Sequence, residues 1–241
     1  MRIDIVTIFP DFFKWPLSHS LLKRARAEKK VHFFVHDLRD FTEDSHRTVD
    51  EKPFGGGAGM VLKPEPIFRC VESLPKKGYA ILLSPRGRPL TQEIAARLSR
   101  KKHLVLILGH YEGVDERISE HLVDEEISVG DFITMGGEAP ALCLIESVVR
   151  LLPGVLGNPE SLKEESFFHS GNGTGGDQLE FPQYTRPRDF RGWEVPAVLL
   201  SGNHQAIREW RNKTSLTVTQ QNRPDLLRRS KLSTRKRGSR R

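Results

Sequence analysis

Cysteine is scarce in this sequence of 241 residues: there are two, Cys70 and Cys143, far apart in the chain. That excludes a disulfide framework and fits a reducing compartment. Long hydrophobic runs are also missing. Runs such as LVLIL at Leu104 to Leu108 fall well short of the roughly 18 apolar residues a membrane-spanning helix needs. The N-terminus MRIDIVTIFPDFF alternates and carries Asp4, so it reads as a first strand and not as a signal peptide. A cytoplasmic protein without a membrane segment is the expectation. No G-x-G-x-x-G stands between a strand and a helix with an acid further on, and no G-x-x-x-x-G-K-[ST] occurs. Both familiar nucleotide-binding modes are thereby disfavoured. The nine histidines contain no H-E-x-x-H, and no metal site is expected.

What is present is an ordinary globular composition, 37% hydrophobic and 29% charged, with a formal charge of +7. The location of that charge matters more than its size. From Arg228 onward, RRSKLSTRKRGSRR carries eight basic residues and no acid. Taking these from the 38 basic residues leaves 30 against 31 acidic ones. The body is near neutral and the tail is basic, as in chains that touch nucleic acid or in chains with a solubilising end.

Strand-like and helix-like segments alternate. Strands are expected at Arg2 to Phe9, Val31 to Leu38, Tyr79 to Ser84, His103 to Leu108 and Glu126 to Val129. Helices are expected at Leu17 to Lys30, Pro64 to Leu74, Thr91 to Lys102, Val114 to Leu122 and Glu138 to Leu152. The strands lack polar alternation, which indicates an α/β fold with a mostly parallel sheet covered on both faces. Glycine, proline and serine then accumulate. The expected organisation is an α/β domain over residues 1–160, a flexible linker at 161–192, a small helical domain at 193–227 and the basic tail at 228–241. In the helical part, Asn203 is placed to cap a helix from Ser201 to Leu216.

Ligands of open parallel sheets bind beyond the strands' C-terminal ends. Three loops follow that logic: LLSPRGRP, LGHYEGVDER and SVGDFITMGGEAP. Each carries glycine near a strand end, where bare backbone can approach a ligand. PFGGGAGM resembles a phosphate cradle but lacks a lysine, and a flexible glycine loop accounts for it. His110 beside Tyr111 reads as a solvated loop histidine. Arg150 and the Glu164–Glu165 pair admit two readings: solvated charges, or a base and an oxyanion stabiliser.

Several long motifs in register carry a resemblance: HRTVDEKPFGGGAGM, LSPRG, GHYEGVDER, SVGDFITMGGEAPAL, ESVVRLLPGVLG, FPQYTRP and VPAVLLSGNHQAIREWR. From Met1 to about Leu227 the chain resembles the bacterial tRNA (guanine-37-N1)-methyltransferases. The resemblance implies an S-adenosylmethionine-dependent enzyme of the SPOUT type that acts on N1 of the guanosine 3′ of the anticodon. It also implies a trefoil knot at the C-terminal end of the α/β domain and a homodimer whose sites are shared between subunits. Matched residue by residue, the cofactor-binding positions are Leu83, Ser84, Pro85 and Gly87; Gly109, Tyr111, Glu112 and Gly113; and Val129, Gly130, Asp131, Phe132, Ile133, Thr134, Gly136, Gly137 and Pro140. Asp50 and Glu112 match positions near the target RNA, and Arg150 matches the catalytic arginine. One departure stands out. The family's Asp-Ser-Phe is here Glu165-Ser166-Phe167, so the general base is a carboxylate one methylene longer. Two alternatives remain at this point: an RNA-binding homologue that has lost catalysis, and a knotted methyltransferase with another RNA target.

Overall fold

The first strand, β1 (Arg2–Thr7), alternates Ile3 and Ile5 on one face with Asp4 and Val6 on the other, and this parity runs through the whole sheet. The structure, a computed structural model, describes residues 1–158, 165–167 and 178–227. The remaining strands of the main sheet are β2 (His32–Asp37), β5 (Tyr79–Pro89), β6 (His103–Leu108) and β7 (Glu125–Ser128). They pair in the order β2-β1-β6-β5-β7, every pairing parallel. Two short strands, β3 (Asp50–Glu51) and β4 (Val61–Leu62), form an antiparallel pair between β2 and β5 in the sequence.

Because side chains alternate with period two, the sheet feeds two cores. Ile3, Ile5, Ile81, Leu83, Leu104 and Leu106 pack with α1 (Ser20–Ala27), α3 (Gln92–Leu98) and α5 (Glu138–Val149). Val6, Ala80, Leu82, Val105 and Ile107 pack with α2 (Pro64–Glu72) and α4 (Glu116–His121). The expected layered parallel architecture is therefore present. Thr91 caps α3 as the sequence indicated, its side chain accepting from the amide of Ile94. The helix foreseen from Leu17 is shorter: residues 16–18 form a 3-10 turn, and α1 begins at Ser20.

One loop expectation is corrected. Ser84 to Pro89 does not leave the sheet after Leu83 but continues β5 along β7, with a register shift between Leu83 and Arg88. Leu83 pairs with Leu108, the last residue of β6. Beyond it β5 has β7 on one side only, so Pro85 and Pro89 forfeit no ladder bond on the β6 side.

The chain divides into two compact units, Met1–Gly157 and Asn158–Arg241. In the second, Asp189–Phe190 (β8) and Trp193–Glu194 (β9) form a hairpin, followed by α6 (Ala197–Leu200) and α7 (His204–Asn222). Asn203 caps α7, accepting from the amides of Gln205 and Ala206. A further helical turn covers 224–227. Thr219 is fully buried and accepts from the amide of Leu179, and Arg211 lies over the Phe181 ring. The basic tail and most of the first part of the expected linker lie outside the described residues.

Candidate active site

Beside Leu83–Pro85 in the middle of β5, and at the carboxyl ends of β6 and β7, the first unit holds a cavity of about 570 Å³. That lies within the size range of small-molecule sites. Three segments wall it. Leu83, Ser84 and Pro85 come from β5; Gly109, Tyr111, Glu112 and Gly113 follow β6; and Val129, Gly130, Phe132, Ile133, Thr134, Gly136, Gly137 and Pro140 follow β7. The structure thus gathers into one place the residues that sequence matching had put in three separate loops.

Glycine is needed here for identifiable reasons. The amide of Gly137 donates to the carbonyl of Gly109 at 2.8 Å. A Cβ at Gly137 would press on Leu108 at 3.0 Å, so glycine lets the two loops meet without displacing it. The apolar residues serve differently. Phe132 and Ile133 are 59% and 79% exposed, so they form an open apolar wall and not part of the core. The loop is braced by Thr134, whose hydroxyl donates to the carbonyl of Gly136, and by Ser128, which donates to the carbonyl of Gly130.

Two of the positions matched to cofactor binding do not line the cavity. Gly87 sits where β5 passes closest to β7, and a Cβ there would collide with the backbone of Glu126 and Ile127. Its place in the structure is a close backbone approach beside the register shift. Asp131 is exposed and outside the lining. Asp50 begins β3 and pairs with Leu62 of β4. The glycine segment joining these two strands, first read as a flexible loop, reaches the site: the side-chain space of Gly59 is taken by the Glu112 carboxylate, and the Glu112 amide donates to the carbonyl of Met60.

Arg150 is the C-cap of α5 and is outside the cavity lining. The twelve residues of α5, Glu138–Val149, span about 18 Å of helix. Glu165 belongs to the second unit. The lining as described comes wholly from the first.

Sequence reasoning passed over one group altogether. Glu138, at the start of α5, is buried, with 8% of its side chain exposed, and accepts a 2.9 Å hydrogen bond from the hydroxyl of Thr7. Its other oxygen faces Nδ1 of His110 at 3.9 Å. His110 itself lines the cavity and is half-buried, not the freely solvated loop residue expected. Its ring packs edge-on against Phe9 and Tyr111, and its Nδ1 is buried without a hydrogen-bond partner. An acid in the first turn of a helix and a histidine in a loop carry no sequence signal that tells this pair from ordinary surface residues.

A parallel sheet with a glycine-lined, partly apolar cavity at its carboxyl edge defines a small-molecule-binding α/β protein. The particular kind follows from comparison with known proteins. A family model described as tRNA (Guanine-1)-methyltransferase TrmD matches residues 1–229, and the chain belongs to that family. A relative from Dictyoglomus turgidum is 55% identical over 234 residues, covering 97% of this chain and 92% of its own. One from Gloeobacter violaceus is 56% identical over 230 residues, covering 94% and 98%. One from Brevibacillus brevis is 55% identical over 229 residues, covering 94% and 91%. All three are named tRNA (guanine-N(1)-)-methyltransferase.

Proposed function

We propose that this chain transfers the methyl group of S-adenosylmethionine to N1 of guanosine 37 in tRNA. The observation that carries the reading is the convergence of the three matched loops on one cavity. The cavity also fits the cofactor: it joins an exposed apolar wall at Phe132 and Ile133 to glycine backbone at Gly109, Gly136 and Gly137. An adenine ring requires such a slot, with peptide groups at its edge. The cofactor supplies an electrophilic methyl group on a sulfonium sulfur.

The chain's own residues must deal with the acceptor. Guanine N1 carries a proton at neutral pH, and that proton has to leave as the N–CH3 bond forms. Glu165 takes it, and the Arg150 guanidinium offsets the negative charge that develops on O6. The exposed Glu112 carboxylate, at the cavity wall, is suited to accept from the guanine amino group. The cavity lining includes neither Arg150 nor Glu165. A homodimer with shared sites is the arrangement that brings them to it. The place where the loop after β6 meets the loop after β7, at Gly109 and Gly137, is where we place the family's knot. In the second unit, Phe190 and Trp193 are 53% and 70% exposed on a hairpin whose turn carries Arg191. Exposed rings beside guanidinium groups suit RNA bases.

The deciding experiment incubates the full chain with labelled S-adenosylmethionine and a tRNA bearing guanosine 37. Mass spectrometry of the digested nucleosides should show N1-methylguanosine at that position. Glu165→Gln should lower the single-turnover rate by about 10²- to 10⁴-fold. A Glu165→Gln rate equal to wild type removes the base assignment. Tight tRNA binding without any methylated product returns the protein to the class of RNA-binding homologues.

A further inference from the structure

We propose that Glu138 is a positioning residue that acts through His110. When the cavity fills, its carboxylate takes a hydrogen bond from Nδ1 of His110 and holds the Tyr111 loop against the ligand. The inference rests on the cofactor reading above and goes beyond it, to a pair that touches the cavity from behind.

The pair is short of partners. A buried carboxylate ordinarily has several donors or a cation. The hydrogen bond Glu138 accepts from a side chain is that of the Thr7 hydroxyl. A buried imidazole nitrogen likewise needs a partner, and Nδ1 of His110 has none. The two face each other at 3.9 Å, within ion-pair range but beyond a hydrogen bond. A closure of about 1 Å would satisfy both groups.

The surroundings show that the gap is kept clear. A Cβ at Gly136 would collide with His110 Nδ1 and with Glu138 Oε2 alike. The two partners are also anchored to different elements. Thr7, the last residue of β1, fixes Glu138 through one oxygen, while the Thr7 hydroxyl accepts from the amide of Phe9. Phe9 in turn packs on the His110 ring with centroids 4.9 Å apart. His110 is tied by backbone bridges to Gly113 and Gly136. Its neighbour Tyr111, held at φ +56°, is a cavity-lining residue. Moving the imidazole toward Glu138 therefore moves the loop that walls the cavity. A contact stronger in the filled state than in the empty one adds to affinity and fixes the loop's position.

The test is a double-mutant cycle on the full chain, read by calorimetric binding of S-adenosylmethionine and of S-adenosylhomocysteine. Glu138→Gln keeps the volume and the bond from Thr7 but removes the charge. His110→Phe keeps the ring packing but removes Nδ1. Each should raise the dissociation constants about ten- to a hundredfold, as loss of one charge-assisted hydrogen bond does. The double variant should be no worse than the weaker-binding single one. Nitrogen-15 spectra supply a readout that a merely structural role would not move: the Nδ1 proton of His110 should become protected on adding S-adenosylhomocysteine to wild type, and not in Glu138→Gln. If Glu138→Gln folds poorly, His110→Phe together with the wild-type spectrum decides the matter. Additive losses, or wild-type affinity in either single variant, overturn the proposal. A wild-type chain that binds neither molecule overturns the cofactor reading itself.

Discussion

Strand β1 leads to a buried carboxylate at each end, and the two are treated in opposite ways. Near its start, Asp4 has no exposed surface. It is held by the Arg2 guanidinium at 2.5 and 2.7 Å, by His36 Nε2 at 2.7 Å and by His103 Nε2 at 2.7 Å. At its far end, Thr7 leads to Glu138, which is buried to almost the same degree but has a hydroxyl and a histidine just out of reach. The first cluster joins β1, β2 and β6 on the face that also buries Cys70, whose thiol burial pushes up to about 12. Its carboxylate is saturated, although Nδ1 of His103 is buried there without a hydrogen-bond partner. The second lies on the opposite face, against the cavity. Where the carboxylate itself is fully satisfied, burial produces rigidity; where the carboxylate faces a bond left unmade, a ligand has something to complete.

The contrast is broken most forcefully at Asp4. Asp4→Asn removes the charge that Arg2, His36 and His103 converge on. Breaking a buried pair from one side costs about 3–5 kcal/mol. Urea unfolding should show that loss, while single-turnover methyl transfer by the folded protein stays near wild type. A large drop in rate with little loss of stability would reverse the roles assigned to the two ends.

A smaller effect of the opposite kind is expected at Gly136. Gly136→Ala puts a methyl group where His110 and Glu138 approach each other. Displacing the loop on the ~1 Å scale should lower the methyl-transfer rate about 10²-fold, with a modest change in unfolding midpoint. Unchanged cofactor affinity and rate would mean that the gap at the cavity end is incidental packing.

The two ends also differ in how far the sequence discloses them. The sheet was legible because β5 and β6 carry unbroken apolar stretches such as ILL and LVLIL, which a strand covered on both faces tolerates. Thr91 and Asn203 were legible as caps because a side-chain acceptor directly before a helix has a local job. The continuation of β5 to Pro89 was hidden, since Pro85, Gly87 and Pro89 are loop residues by local preference. What permits them there is the end of β6, a fact of pairing and not of local sequence. Glu138 and His110 were hidden for a similar reason. Their burial depends on Phe9 and Gly136, and no local pattern brings those residues together. The cofactor loops were suggested by glycine at strand ends, but their exact membership came only from family resemblance. That resemblance also included Gly87 and Asp131, which the cavity lining leaves out.

The finest test of the contrast is acid. Burial pushes the Asp4 carboxyl up, but hydrogen bonds from His36, Arg2 and His103 outweigh burial and hold it well below the usual carboxylate range. The folded chain thus binds this proton less readily than the unfolded chain does. The resulting stability is present above the ordinary aspartate value of about 3.9 and is lost as pH falls through the depressed one. The difference in urea midpoint between wild type and Asp4→Asn should therefore persist from pH 7 to about pH 5 and narrow below about pH 4. Narrowing already near neutrality would assign the effect to the histidines and not to the carboxylate. A difference unchanged at about pH 3 would mean that the folded and unfolded chains bind this proton alike, and would remove the depressed carboxyl as the source of the stability. Either result would redraw the closed end of β1, and with it the standard against which the open end at Glu138 is measured.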